Sequence, residues 1–235
     1  MSLVKNPTRF PENESHFLLE GSVGSLEVHT TSHKPWMGIG VICHPHPLYG
    51  GSMNNKVVYT LSEAMKGSGL NTVRFNFRGV GKSEGAFGDV AGEVEDLFSV
   101  LEWIQKVCPT APLWLAGFSF GAYVCAKGAE YCLNQDWDLR QLISIAPAVH
   151  LAPYPSLNEI TCPWLIIQGT EDELIPSDLV LNWAKTLQLN PNQQVKYIPI
   201  PGASHFFHGK LLLLQIGRAS CRERVRGLLG MSLGK

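Results

Sequence analysis

Residues 112–124, PLWLAGFSFGAYV, constrain this chain more than any other stretch. An apolar run from Pro112 to Ala116 ends in Gly117-Phe118-Ser119-Phe120-Gly121, and a helix pattern of small residues follows. That reads as a buried strand, a sharp turn and a helix, with Ser119 at the apex. A serine backbone in so tight a turn is strained and needs small residues two places to either side, which Gly117 and Gly121 supply. Alone, a Gly-x-Ser-x-Gly pattern is weak, since at average residue usage it arises by chance in about one chain in ten of this length. Its place between a strand and a helix raises its weight. The plain alternative is a glycine-rich turn with a capping serine.

The flanking sequence alternates strands and helices. His16–Glu20 and Ser25–Thr30 read as an antiparallel hairpin turning at Gly21-Ser22-Val23-Gly24. Met37–Cys43 is continuously apolar, as in a strand buried on both faces. A helix is expected from near Ser52 to Gly67, a strand over Asn71–Phe77, a glycine-rich loop over Arg78–Gly92 and a helix over Glu93–Val107. Further strands are expected at Leu139–Ala146, Pro163–Gln168 and Gln194–Pro199, with a helix at Ser177–Leu187. This order predicts an α/β fold: a mostly parallel sheet with helices on both faces and an N-terminal antiparallel hairpin. Loops that do chemistry belong at the carboxyl ends of its strands.

At 235 residues and 45% hydrophobic, the chain can bury one large core. A net charge of −1 without a like-charge block before residue 216 argues against nucleic-acid or membrane-surface partners. The first residues lack the apolar core of a secretory signal, and no apolar run is long enough to span a membrane. The six cysteines (43, 108, 125, 132, 162 and 221) form no CxxC pair and read as small buried hydrophobes. A reduced, cytoplasmic compartment is the expectation.

An exposed serine becomes a nucleophile when a base, an orienting acid and oxyanion donors surround it. The acid is expected after the Pro163–Gln168 strand, where Glu171, Asp172 and Glu173 are adjacent. Asp172 is preferred, with Glu171 and Glu173 read as a solvated turn. The base is expected after the last strand, where His205 comes first and His208 lies one helical turn later. The backbone N–H of Phe120 is one expected oxyanion donor, at a helix N-terminus. The second is expected from His44-Pro45-His46-Pro47-Leu48, where proline has no N–H. His46 and Leu48 are the candidates, and His46 is preferred. A metal bound by the two histidines is disfavoured, because no thiolate or carboxylate accompanies them. Neither metal nor cofactor is expected.

The order Ser119, Asp172, His205 is that of the α/β-hydrolases. Five motifs, CHPHPLYGGSMNNKV, RFNFRGVGKSEG, GFSFGA, QGTEDELIP and GASHFFHGK, resemble a bacterial group of small, mostly uncharacterised α/β-hydrolases. The resemblance spans residues 14–214 and implies Ser119, Asp172 and His205 as a catalytic triad. Asn76 stands where that group usually carries an acid and is read as structural. HPHP occupies the place of the group's oxyanion loop, whose third residue is here His46.

Many relatives insert a lid after the strand that here is Leu139–Ala146, but only residues 147–162 separate it from the next strand. No lid domain is expected. The site should be open, with Leu48, Tyr49, Phe87, His150, Leu151 and Tyr154 as candidates for its rim. A serine esterase acting on small or short-acyl substrates is the leading expectation. A small-peptide peptidase or amidase and a non-catalytic binding module are the alternatives. Oligomeric state is not legible. Residues 1–215 are read as the hydrolase domain. From about residue 216, IGRASCRERV resembles a translated sequencing-library adapter, so 216–235 are read as a non-native tail. A basic amphipathic helix is the alternative there.

Overall fold

The structure is a computed structural model that describes residues 4–32, 34–150, 154 and 160–215. The expected tail from 216 onward and the rim candidate Leu151 lie outside these residues. Nine strands are present among the described residues: β1 (Val4–Lys5), β2 (Ser15–Glu20), β3 (Ser25–Thr31), β4 (Ile39–Cys43), β5 (Asn71–Phe75), β6 (Leu113–Phe118), β7 (Leu139–Ile145), β8 (Trp164–Gly169) and β9 (Val195–Ile200). Four α-helices accompany them: α1 (Lys56–Lys66), α2 (Ala91–Val107), α3 (Phe120–Asn134) and α4 (Ser177–Gln188). The sheet order is β1-β2-β3-β5-β4-β6-β7-β8-β9. From β5 to β9 all neighbours are parallel, while β2 pairs antiparallel with β3 and β3 with β5. This is the expected α/β-hydrolase architecture.

The core has two layers because side chains alternate across each strand. Val41, Leu113 and Leu115 pack on one face with α2 and α3, whereas Ile42, Trp114 and Ala116 pack on the other with α1, Phe207 and Leu214. Each fully buried aliphatic or aromatic side chain contributes about 1.5–3 kcal/mol. β8 reads WLIIQG and is buried at every position, as a strand covered on both faces must be. β9, with Pro199, is the edge strand, where a missing N–H is tolerated.

Most predicted boundaries fall within one or two residues of the observed ones. The exception is α1, expected from near Ser52 but starting at Lys56. Its N-cap is Asn55, whose side chain accepts the Val57 N–H, while Met53 is drawn off by a bond from its own N–H to Asn76 Oδ1. Strand β1, only two residues long, was not expected. It leans on β2 in parallel and carries no pattern of its own.

Chain order around β4 fixes where the loops of the site emerge. β4 continues to β5 on one side, but β6 lies on the other, so strand order reverses between β4 and β6. At such a reversal the loops leaving the carboxyl ends diverge, which in open α/β sheets is the usual place for a binding crevice. The loop after β5 is pinned beside it. Arg78, buried with Asp96 on α2, donates from Nε at 3.0 Å and Nη2 at 2.7 Å to Oδ1, and its backbone N–H reaches Oδ2 at 2.8 Å. Glu93, also buried, accepts N–H bonds from Gly88 and Val90. The Asn76 amide bridges Met53 N–H and Glu27 Oε2, so the residue in place of the usual acid is structural. Removing Asp96 strands a buried guanidinium. Asp96→Ala should destabilise the fold by about 3–5 kcal/mol, read as a lower urea midpoint.

Candidate active site

Ser119 stands between the end of β6 and the start of α3 with φ 55° and ψ −117°, a strained conformation for a non-glycine residue. Its N–H donates to Ile145 O at 2.8 Å. Tight packing enforces the turn. A methyl carbon added at Gly117 would sit 2.1 Å from Gly121 O, and one at Gly121 would sit 2.5 Å from His44 O and 2.6 Å from Cys43 O. Both glycines are therefore required by backbone contacts, and the second presses the first turn of α3 against the end of β4.

That contact places the HPHP loop beside the nucleophile. His44 is buried, with Nδ1 2.7 Å from Pro45 O and Nε2 accepting the Phe77 N–H at 3.0 Å. The proton therefore sits on Nδ1. With both nitrogens engaged, His44 has none to offer a metal. Burial holds its pKa down to about 4. His46 caps a short 3₁₀ turn, Pro47–Tyr49, and its Nδ1 accepts the Leu48 N–H at 3.2 Å. This bond occupies the Leu48 N–H, which weighs against Leu48 of the two candidates. The His46 ring lies 4.8 Å from the Phe120 ring, 4.9 Å from Phe87 and 4.8 Å from Tyr49. Burial lowers its pKa, and Glu93 offsets this only in part.

The loops after β8 and β9 bring the other groups in. His205 Nε2 is 3.2 Å from Ser119 Oγ, and Nδ1 is 2.8 Å from Asp172 Oδ2. Asp172 Oδ1 accepts N–H bonds from Leu174 and Ile175, and Oδ2 accepts a third donor, Gln168 Nε2, at 2.9 Å. Burial pushes the Asp172 carboxyl up, but hydrogen bonds from His205, Ile175 and Leu174 outweigh it and the net shift is downward. The carboxylate stays ionised, so Nδ1 carries the proton and Nε2 is free to accept the serine proton. The imidazole packs against Phe118 at 5.0 Å and Phe206 at 5.1 Å, which also touch each other.

The other sequence candidates separate clearly. Glu171 and Glu173 are exposed, and Glu173 accepts the His205 backbone N–H at 3.0 Å. His208 is exposed, its ring 6.0 Å from Phe206. Leu48 and Tyr49 are exposed beside His46, and half-buried Phe87 completes that wall. His150 is exposed in a turn. Tyr154, expected on the rim, is only 3% exposed and belongs to the core. It packs edge-on against Tyr123 of α3 and Trp183 of α4. Gln168 was missed. A buried amide at a strand end carries no sequence signal, and only its position behind Asp172 marks it. Four cysteines (43, 125, 132 and 162) are buried and Cys108 half-buried, and burial pushes the Cys132 thiol up to about 12. A groove of about 720 Å³ beside α2, walled by Glu20, Phe98 and Trp103, contains none of the triad candidates.

A strained serine on an elbow, an imidazole within 3.2 Å of it and a carboxylate behind that imidazole define a class: the chain belongs to the α/β serine hydrolases. The family described as "Serine aminopeptidase, S33" matches residues 49–158. An α/β serine hydrolase homologue from Coxiella burnetii is 46% identical, with TM-score 0.79, over 93% of this chain and 99% of that one. A serine hydrolase from Xanthomonas campestris, described as without a lid, is 38% identical with TM-score 0.81 over 94% of this chain and 98% of that one. An uncharacterised protein of Rickettsia prowazekii is 36% identical over 81% of this chain and 80% of its own length. No helix among the described residues is long and apolar enough to cross a membrane.

Two outcomes follow from this geometry. Gly121→Ala drives a methyl group into two carbonyls that cannot retreat, and should destabilise by about 1–3 kcal/mol, lowering Tm by about 3–10 °C. The second concerns acid. An unfolded chain takes up a proton on His44 near pH 6.5, the folded one only near pH 4. Stability from this group is complete above 6.5 and is lost as the pH falls toward 4. Urea unfolding should lose on the order of 2–3 kcal/mol from this source between pH 7 and pH 4.5, and His44→Asn should flatten that slope. His29, lowered by burial and by Arg74, adds in the same direction.

Proposed function

We propose that this chain is a carboxylic ester hydrolase that works through an acyl-enzyme on small or short-acyl esters. The observation that carries this reading is the line from Ser119 Oγ to His205 Nε2, at 3.2 Å, and from His205 Nδ1 to Asp172 Oδ2, at 2.8 Å. His205 takes the Ser119 proton as Oγ attacks the acyl carbon, and Asp172 stabilises the imidazolium that forms. The Phe120 N–H, at the positive end of α3, and the His46 N–H stabilise the oxyanion. His205 then protonates the leaving alcohol. It next removes a proton from water, which attacks the acyl-serine and releases the acid and free Ser119.

An open site fits short acyl groups, and the Xanthomonas relative's description as lidless supports that reading. The described cysteines are all free thiols, which fits a reduced cytoplasmic setting. Residues 1–215 act as one hydrolase domain in this reading, and 216–235 as a tail foreign to it.

A second reading, a small-peptide peptidase or amidase, is favoured by the aminopeptidase description of the matching family. The triad chemistry is common to both. Ser119→Ala should abolish fluorophosphonate labelling; undiminished labelling refutes the assignment of Ser119, and wild-type protein that does not label at all is the outcome a non-catalytic binding module predicts. On a p-nitrophenyl ester series, activity should peak at short acyl chains without a jump at the emulsion boundary. Faster cleavage of aminoacyl p-nitroanilides than of the esters would establish the second reading instead.

A further inference from the structure

We propose that Gln168 is a positioning residue for the triad: its amide N–H groups hold the Asp172 carboxylate in the orientation that His205 requires. The proposal rests on the hydrolase reading of Ser119, His205 and Asp172. Gln168 is fully buried at the end of β8, four residues before Asp172. Its Nε2 donates to Asp172 Oδ2 at 2.9 Å and to Ile175 O at 3.1 Å, with Gly169 O a further 3.3 Å contact. Asp172 Oδ2 thus receives two donors, His205 Nδ1 from one side and Gln168 from the other. One amide ties the catalytic acid to the turn that carries it, since Ile175 N–H also donates to Asp172 Oδ1.

The other end of the same amide strengthens the argument. Gln168 Oε1 is buried and has no hydrogen-bond partner among the described residues. An orphaned buried carbonyl destabilises a fold, so space-filling alone would favour a methionine here. Sequences retain such a local conflict where it serves a site. What this side chain supplies is donors. They fix the carboxylate plane and disperse its charge, keeping the second lone pair of Oδ2 aimed at Nδ1.

Two near-isosteric variants separate positioning from packing, with kcat normalised to sites titrated by a fluorophosphonate. Gln168→Met removes the donors and the orphan together. Its kcat on p-nitrophenyl acetate should fall about tenfold or more while KM stays within about twofold, and Tm should hold within a few degrees or rise. A packing role predicts the opposite, a lower Tm with normal kcat per site. Gln168→Glu can donate to Oδ2 only while protonated, and its pKa is raised by burial and by Asp172. Its kcat relative to wild type should be near one at about pH 6 and fall tenfold or more by about pH 9. The proposal is overturned if Gln168→Met keeps wild-type kcat per site, or if the Gln168→Glu ratio is flat with pH. Should Gln168→Met not fold, the Glu series decides alone. Wild-type protein that resists the fluorophosphonate would sink the hydrolase reading, and this proposal with it. Labelling that depends on Ser119, combined with a flat ratio, would sink only the role of Gln168.

Discussion

A close approach between the first turn of α3 and the end of β4 is what the site depends on. Gly121 lies so near the Cys43 and His44 carbonyls that no side chain fits between them. Because α3 cannot retreat, Ser119 stays in its left-handed conformation at the end of β6. Because β4 ends against the same helix, its following loop must turn beside Phe120, and the His46 and Phe120 rings meet. Ser119, Phe120 and His46, the residues proposed as nucleophile and oxyanion donors, are thus placed by one contact. Strand order reverses between β4 and β6 beside them, where open α/β sheets bind their ligands.

Electrostatics then assigns a state to each polar group. Buried His44 is kept neutral and serves as a fixed bracket between Pro45 O and Phe77 N–H. Asp172, also largely buried, is kept charged because it collects four donors, from His205, Gln168, Leu174 and Ile175. Burial opposes charge in both cases, and the number of donors decides which group yields. His205 lies between Asp172 and Ser119, one ring nitrogen facing the anion and the other the hydroxyl.

Support for the loops is also buried and polar. The Arg78–Asp96 pair and the Glu93 carboxylate hold residues 78–90 in place, so that Phe87 reaches the His46 ring. Replacing either acid would act on the pocket wall through the backbone, at a distance from Ser119.

Elements with strong periodicity were legible from residue types alone. The hairpin, the central strands, α2, α3 and α4 could be drawn within a residue or two, and the triad candidates followed from their place after particular strands. Local chemistry shifted α1, since the Asn55 cap and the Asn76 bond to Met53 override an apolar pattern that extends further back. Tyr154 misled because an aromatic residue in a breaker-rich connection reads as rim, yet here two helices leave a gap that it fills. Choosing Asp172 among three adjacent acids rested on spacing, and preferring His46 over Leu48 drew on the resemblance of HPHP to the family's oxyanion loop. Residue order and side-chain type by themselves determined the α/β class, the elbow and the set of groups able to do acyl transfer, because hydrophobic period and turn chemistry are local properties. Only the tertiary structure decided which acid faces the imidazole, which loop N–H is already spent on a side chain, and that Gln168 stands behind Asp172. Those are contacts between residues distant in the chain or turned inward by a bend, and they come into being when the sheet and helices pack.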